Sequence, residues 1–162
     1  MREAEKLSRV SRASWYIYCM QKNILGIDLG KGSVGLAISR SGMFVTLLPE
    51  ARFEAGKYEY AIAAIEKIMS EETVESFVIG LPLFPSGDPC EMTPIVEKFI
   101  GVLQEKFPKI PVYRQDERNS TVEAASLMHE GGKNAKKQKK NIDSAAAGVI
   151  LKRYLVLIGQ AD

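Results

Sequence analysis

The chain has 162 residues, 46% of them apolar and 26% charged, with a formal net charge of +2. That length suits one domain with a real hydrophobic core. The near-balanced charge names no partner, so a nucleic-acid signal has to come from local clustering. No apolar run reaches the ~18 residues of a membrane-spanning helix. The two cysteines, Cys19 and Cys90, lack the spacing of a metal site. With no secretory signal, a reducing compartment is expected.

Residues 1–22 stand apart. "MREAEKLSRVSR" is charged and aperiodic, and the "WYIYC" that follows is too short for a signal-peptide core of about 7–15 residues. A flexible arm is expected here, with Met20 as an alternative start to Met1. The domain proper is expected over 23–158, followed by a tail at 159–162.

Ile24 to Leu29 reads as a strand, and Val34 to Ser39 as a second joined to it by a glycine-rich hairpin. "MFVTLL", Met43 to Leu48, reads as a third strand after the Ser41-Gly42 turn. "YEYAIAAIEKIMSEE" places Tyr58, Ala61, Ile62, Ile65, Ile68 and Met69 at helical spacing. "SFVIGLPL" is a short buried strand ended by Pro82. Thr93-Pro94 suits an N-cap and first helical position, with Ile95, Val96, Phe99, Val102 and Leu103 as the buried stripe. "IPVYRQDE" reads as the last strand. Ser120 to Glu123 forms a capping box opening a helix that Gly131-Gly132 ends. "NIDSAAAGVILKRYLVLI" closes the chain as a long apolar helix. The order β-β-β-α-β-α-β-α implies an α/β fold: a mixed five-stranded sheet, three antiparallel strands and then βαβ units, flanked by helices.

Within this frame the carboxylates are the chemistry. Asp28 shares a strand face with Ile24 and Gly26, where small residues leave room for something to approach. An Asx-type bond to the adjacent turn is the plain structural alternative. Asp143 lies in the first turn of the last helix, where the dipole alone favours a carboxylate. Its neighbours at helical spacing, Ala146, Ala147 and Ile150, are apolar and mark a core-facing side. "QDER" adds Asp116 and Glu117 at the end of the last strand, beside Arg118, and a surface turn with a local ion pair would also account for it. Three acidic sites converging at one sheet end would supply oxygen ligands for hard cations such as Mg²⁺ or Mn²⁺. Two such cations stabilise the attacking and leaving oxygens in phosphodiester hydrolysis.

"GIDLGKGSVGLAIS", "VIGLPL" with the following Gly87, "DERNSTVEA" and "NIDSAAAGVIL" resemble, in order, the motifs of the bacterial YqgF/RuvX family. The likeness runs from about Ile24 to Tyr154. It implies a ribonuclease H-like fold and a cytoplasmic nuclease, a pre-16S rRNA processing enzyme or Holliday junction resolvase. It implies Asp28, Glu117 and Asp143 as the catalytic, metal-holding cluster. The chain departs from the family pattern in three places. Ser33-Val34-Gly35 stands where Arg-Ile-Gly is usual, and Phe84-Pro85-Ser86-Gly87 where Asn-Met-Asp-Gly is usual. Related resolvases carry their middle carboxylate at the end of the fourth strand, which here reads Gly80-Leu81-Pro82. Glu117 therefore has to reach across from the fifth strand, and Asp116 stays open as the alternative third ligand.

Lys133, Lys136, Lys137, Lys139 and Lys140 lie within eight residues just before Asp143. Such a run is commonly a solvated loop, but here it would track a phosphate backbone, with Lys31 and Arg118 flanking the other carboxylates. The single histidine, His129, is expected at a helix end or on the surface. Two rivals compete with a nuclease. An ATPase of the actin and sugar-kinase type needs a second Asp-x-Gly loop, and Asp28-Leu29-Gly30 is the only one. A binding module of the same fold would keep nucleic-acid affinity without cleavage. The expected partner is structured or single-stranded RNA, with branched DNA as the alternative. One groove and one lysine loop suit a monomer cutting one strand end, whereas symmetric junction cleavage calls for a homodimer.

Overall fold

The computed structural model describes residues 20–118 and 142–162, the second stretch by side chain from Ser144 onward. Its elements are β1 (Ile24–Leu29), β2 (Ser33–Ser39), β3 (Thr46–Arg52), α1 (Glu59–Glu71), β4 (Ser76–Leu81), α2 (Thr93–Lys106), β5 (Val112–Asp116) and α3 (Ile142–Leu157). The strands form one sheet in the order β3-β2-β1-β4-β5. β1–β2 and β2–β3 are antiparallel, while β1–β4 and β4–β5 are parallel. This is the mixed sheet that the element order implies.

Strand alternation assigns the two faces. Leu25, Ile27, Leu29, Val34, Leu36, Ile38, Phe77 and Ile79 bury one face under α1 and α2, which contribute Ile62, Ile65, Val96, Phe99, Ile100 and Leu103. On the other face Ile24, Ala37 and Val78 pack against Ala147, Ile150, Leu151, Tyr154 and Leu155 of α3. α3 rests almost directly on the backbone of β1. A Cβ on Gly26 would stand 2.9 Å from Leu151 Cβ and 3.1 Å from the Ala147 carbonyl oxygen.

The far end of α3 is tied to the start of β1. Gln160 Nε2 donates to the Gln21 carbonyl at 2.8 Å, and its Oε1 accepts the Gln21 N–H at 2.7 Å. Tyr154 Oη donates to Gln21 Oε1 at 2.8 Å. α3 therefore runs antiparallel to β1, and its first turn lies at the C-terminal end of β1. That is the sheet edge where parallel strands open a ligand crevice.

Three local expectations are corrected. The third strand covers Thr46–Arg52, not Met43 to Leu48. Ser41 Oγ accepts the N–H groups of Met43 and Phe44 and holds them in the turn. Pro49 is tolerated because β3 is an edge strand with a register shift opposite Gly35. Thr93 is the first helical residue rather than the cap: its Oγ1 donates to the Pro82 carbonyl at 2.5 Å and accepts the Cys90 N–H at 2.9 Å. In α2, Ile100 is buried where Val102 was expected, and Val102 is exposed. The N-terminal arm, the helix expected at Ser120, His129 and the lysine run lie outside the described residues.

Candidate active site

β1 ends in Asp28, which pairs in register with Gly35 of β2. Asp28 alternates with Ile27, so its side chain rises on the α3 face. On its other side the parallel register pairs Ile27 with Ile79, which sets Gly80 beside Asp28. Glu117 directly follows β5, and its N–H is bonded to the Leu81 carbonyl at 3.3 Å. β5 and β1 are separated by β4, so their backbones stand ~10 Å apart. Glu117 bridges that gap and forms a side-chain hydrogen bond with Asp28.

The bridge is possible because β4 carries glycine at the crossing point. A Cβ on Gly80 would stand 2.5 Å from Glu117 Oε2 and 2.5 Å from Ile150 Cδ1. Burial raises the Glu117 carboxyl above the usual carboxylate range, the bond with Asp28 opposes this, and the charge of Asp116 adds to it. Two carboxyl groups in hydrogen-bond contact either share a proton or need a cation between them.

Asp116 is engaged elsewhere. Its Oδ2 accepts from Arg118 Nε at 2.6 Å and its Oδ1 from the Arg118 N–H at 2.9 Å, which holds its carboxyl below the usual range. Arg118 also donates from Nη1 to the Pro85 carbonyl at 3.2 Å. It thereby ties the loop after β4 to the residue beyond Glu117. Lys31, on the β1–β2 hairpin, pairs with Glu91 at 3.3 Å, and both side chains are exposed. A pair of that kind contributes little and leaves the ammonium available.

Asp143 is the second residue of α3, one turn ahead of Ala147, at the same sheet edge as Asp28. Its side chain, like the five lysines before it, lies outside the described residues. The next residue, Ser144, is buried, and its hydroxyl has no hydrogen-bond partner among the described residues. Among the described residues no group of three His, Cys, Asp or Glu side chains is placed to hold a metal. Asp28 and Glu117 are the two carboxyls that the described residues bring together at this edge.

Two contributors are not legible as site residues in the sequence. Gly80 is one. The other is Arg153, whose Nη1 donates to the carbonyls of Arg118 at 2.7 Å and Asp116 at 3.3 Å. Those carbonyls flank Glu117, so α3 itself fixes the stem from which Glu117 projects. The one available signal is a basic pair, Lys152-Arg153, interrupting an otherwise apolar helix.

Comparison with known proteins identifies the family and the fold. The chain is 32% identical over 85% of its length, and 91% of the relative's, to a protein of Aster yellows witches'-broom phytoplasma named "Putative pre-16S rRNA nuclease". A protein of Chlorobium phaeobacteroides with the same name is 36% identical, over 86% of this chain and 96% of its own. The Fowlpox virus resolvase, solved with Holliday junction DNA, superposes with a TM-score of 0.55 at 11% identity, covering 84% of this chain and 98% of its own. The shared architecture is the ribonuclease H-like fold of the resolvases. A family model described as "RuvX: Holliday junction resolvase" matches residues 22–156. The chain belongs to the RuvX (YqgF) family of nucleases.

Proposed function

We propose that Asp28, Glu117 and Asp143 together hold Mg²⁺ or Mn²⁺ for phosphodiester hydrolysis at the 5′ end of the pre-16S rRNA, in the cytoplasm. The observation that carries this reading is the Asp28–Glu117 bond across Gly80. The chain sets two carboxyls together at the crevice end of the sheet, and once both are ionised a bound cation offsets their repulsion. The donor set is all oxygen, which fits a hard divalent cation. Such a cation, when bound, neutralises charge on the phosphate and activates water.

The protein's own residues do the remainder. Glu117 and Asp28 orient the cation-facing oxygens, and Arg153 keeps the Glu117 stem in place. Lys31 and the lysines at 133, 136, 137, 139 and 140 draw in the sugar–phosphate backbone. Arg118, committed to Asp116 and Pro85, shapes the wall of the site more than it binds phosphate freely.

The RNA choice draws on the names of the relatives and on the expectation of a monomer acting on one strand end. The test is cleavage of a precursor RNA and a four-way DNA junction side by side, with Mn²⁺ or Mg²⁺. Faster trimming of the RNA is the expected result. Paired nicks in the junction by a stable dimer, with the RNA intact, would reassign the substrate to branched DNA. Binding of either without cleavage under any divalent cation would make the chain a binding module.

A further inference from the structure

The loop after β4 carries an aromatic ring that the fold does not use. Phe84 is 53% exposed, although it stands between two well-packed elements. Single exposed apolar side chains are common and by themselves mean little. What distinguishes Phe84 is how its backbone is held and what the loop touches.

Leu83 and Pro89 form an antiparallel bridge that closes a small hairpin. The Phe84 N–H donates to the Asp88 carbonyl at 2.9 Å, and the Phe84 carbonyl accepts the Gly87 N–H at 2.8 Å. Pro85 follows as the second residue of the turn, and Gly87 takes a φ of +92°, the conformation that a tight three-residue hairpin needs after its turn. Ser86 Oγ donates to Asp88 Oδ2 at 2.8 Å. Arg118 Nη1 then grips the Pro85 carbonyl from the strand end that carries Glu117. Both polar backbone groups of Phe84 are thus satisfied inside the turn. The ring is presented by a fixed stem in the loop that follows β4, at the same sheet edge as Asp28 and Glu117.

From this placement we propose that Phe84 is a stacking platform for an unpaired nucleobase adjacent to the phosphodiester cut at Asp28 and Glu117. The inference rests on the nuclease reading above and adds a base-contacting subsite to it. A base held in a duplex offers no free face to a side chain, so the platform selects single-stranded segments or splayed ends over continuous duplex. A ring on a preformed turn gives up little freedom on binding. Stacking is tolerant of base identity, so the subsite reads strandedness rather than sequence. Its ligand is an unpaired base of RNA or of DNA, and the sugar is not part of the recognition.

The test measures binding of the full chain in EDTA, which prevents cleavage. Four probes are compared: a single-stranded RNA oligomer, its DNA counterpart, the same backbone with abasic sites, and a continuous duplex. Phe84→Ala is expected to weaken both single-stranded probes by about 5- to 100-fold, and to leave the abasic probe and the duplex unchanged. Phe84→Trp is expected to restore binding, with indole emission quenched by the single strands and not by the abasic probe. Trp15 is the one native tryptophan, so the parent protein supplies the baseline. Loss on RNA alone would overturn the strand-only reading in favour of a sugar contact. Equal affinity of Phe84→Ala and parent for the single strands would overturn the platform while leaving the nuclease reading intact. Failure of the parent to bind any of the four probes would overturn both.

Discussion

Glu117 Oε2 occupies the space that a side chain at Gly80 would fill, 2.5 Å from where its Cβ would stand. A carboxyl from beyond the fifth strand thereby reaches the first across the backbone of the fourth. Gly80→Ala is expected to push Glu117 off Asp28 and to press on Ile150 as well. Overpacking of that order costs about 1–3 kcal/mol. Thermal denaturation should show the loss, and cleavage should fall at least about 100-fold, the scale of removing one well-placed electrostatic group. Normal cleavage by a destabilised Gly80→Ala protein would show that Glu117 need not cross there.

The raised Glu117 carboxyl gives the metal-free protein a signed pH dependence. Its folded-state pKa lies above the unfolded value. Over the window between the two, the unfolded chain has already released a proton that the folded chain keeps, so stability falls as pH rises. The contribution is complete below the ordinary glutamate range and is lost as pH climbs through the folded value. Urea midpoints of parent and Glu117→Gln, measured in EDTA from acid to neutral pH, should diverge in favour of the variant as pH rises. Added Mn²⁺ should shrink that divergence by stabilising the parent. Parallel curves would contradict the buried, proton-sharing pair.

Arg153 acts through Glu117 rather than on substrate. Arg153→Ala frees the carbonyls of Asp116 and Arg118, each a charge-assisted bond of about 1.5–3 kcal/mol. Mn²⁺ affinity, measured by titration calorimetry, should drop roughly tenfold. Affinity for duplex nucleic acid in EDTA should stay unchanged. Arg153→Lys should recover part of the metal affinity. A variant with parental Mn²⁺ affinity would reduce Arg153 to a packing role.

Much of the sheet was legible because its patterns are local. Alternation in β1 and β2, the helical stripe of α1 and Pro82 at the end of β4 are each written within a few residues. The start of β3 was not, since the Ser41 hydroxyl holds Met43 and Phe44 in the turn and the strand begins only at Thr46. Asp28 stood out as a carboxylate in an apolar strand. The distinction between Asp116 and Glu117 was closed to sequence, because adjacent residues differ only in the face they take at a strand end. The structure separates them: Asp116 goes to Arg118, and Glu117 to Asp28. Gly80 and Arg153 were missed for a related reason. Each acts on a residue distant in the chain, and neither carries chemistry of its own.

The Gln21–Gln160 latch separates stability from activity. Gln160 makes two bonds to the Gln21 backbone and a third from Nε2 to the Gly42 carbonyl at 2.9 Å. It lies at the end of the sheet away from Asp28. Gln160→Ala should cost about 1–3 kcal/mol through unsatisfied backbone groups. Cleavage measured well below the melting temperature should be unaffected. A large loss of activity in a folded variant would show that this end of α3 communicates with the carboxyls.

The central claim is that Asp28 and Glu117 form one cation-holding unit from which Asp116 is excluded. Calorimetric titration of Mn²⁺ into the parent, Asp28→Asn, Glu117→Gln and Asp116→Asn proteins addresses it directly, without any assumption about substrate. Asp28→Asn and Glu117→Gln should each lose measurable binding, while Asp116→Asn should keep binding within about threefold of the parent, because its carboxylate is committed to Arg118. Parental binding by Glu117→Gln together with loss in Asp116→Asn would contradict the account.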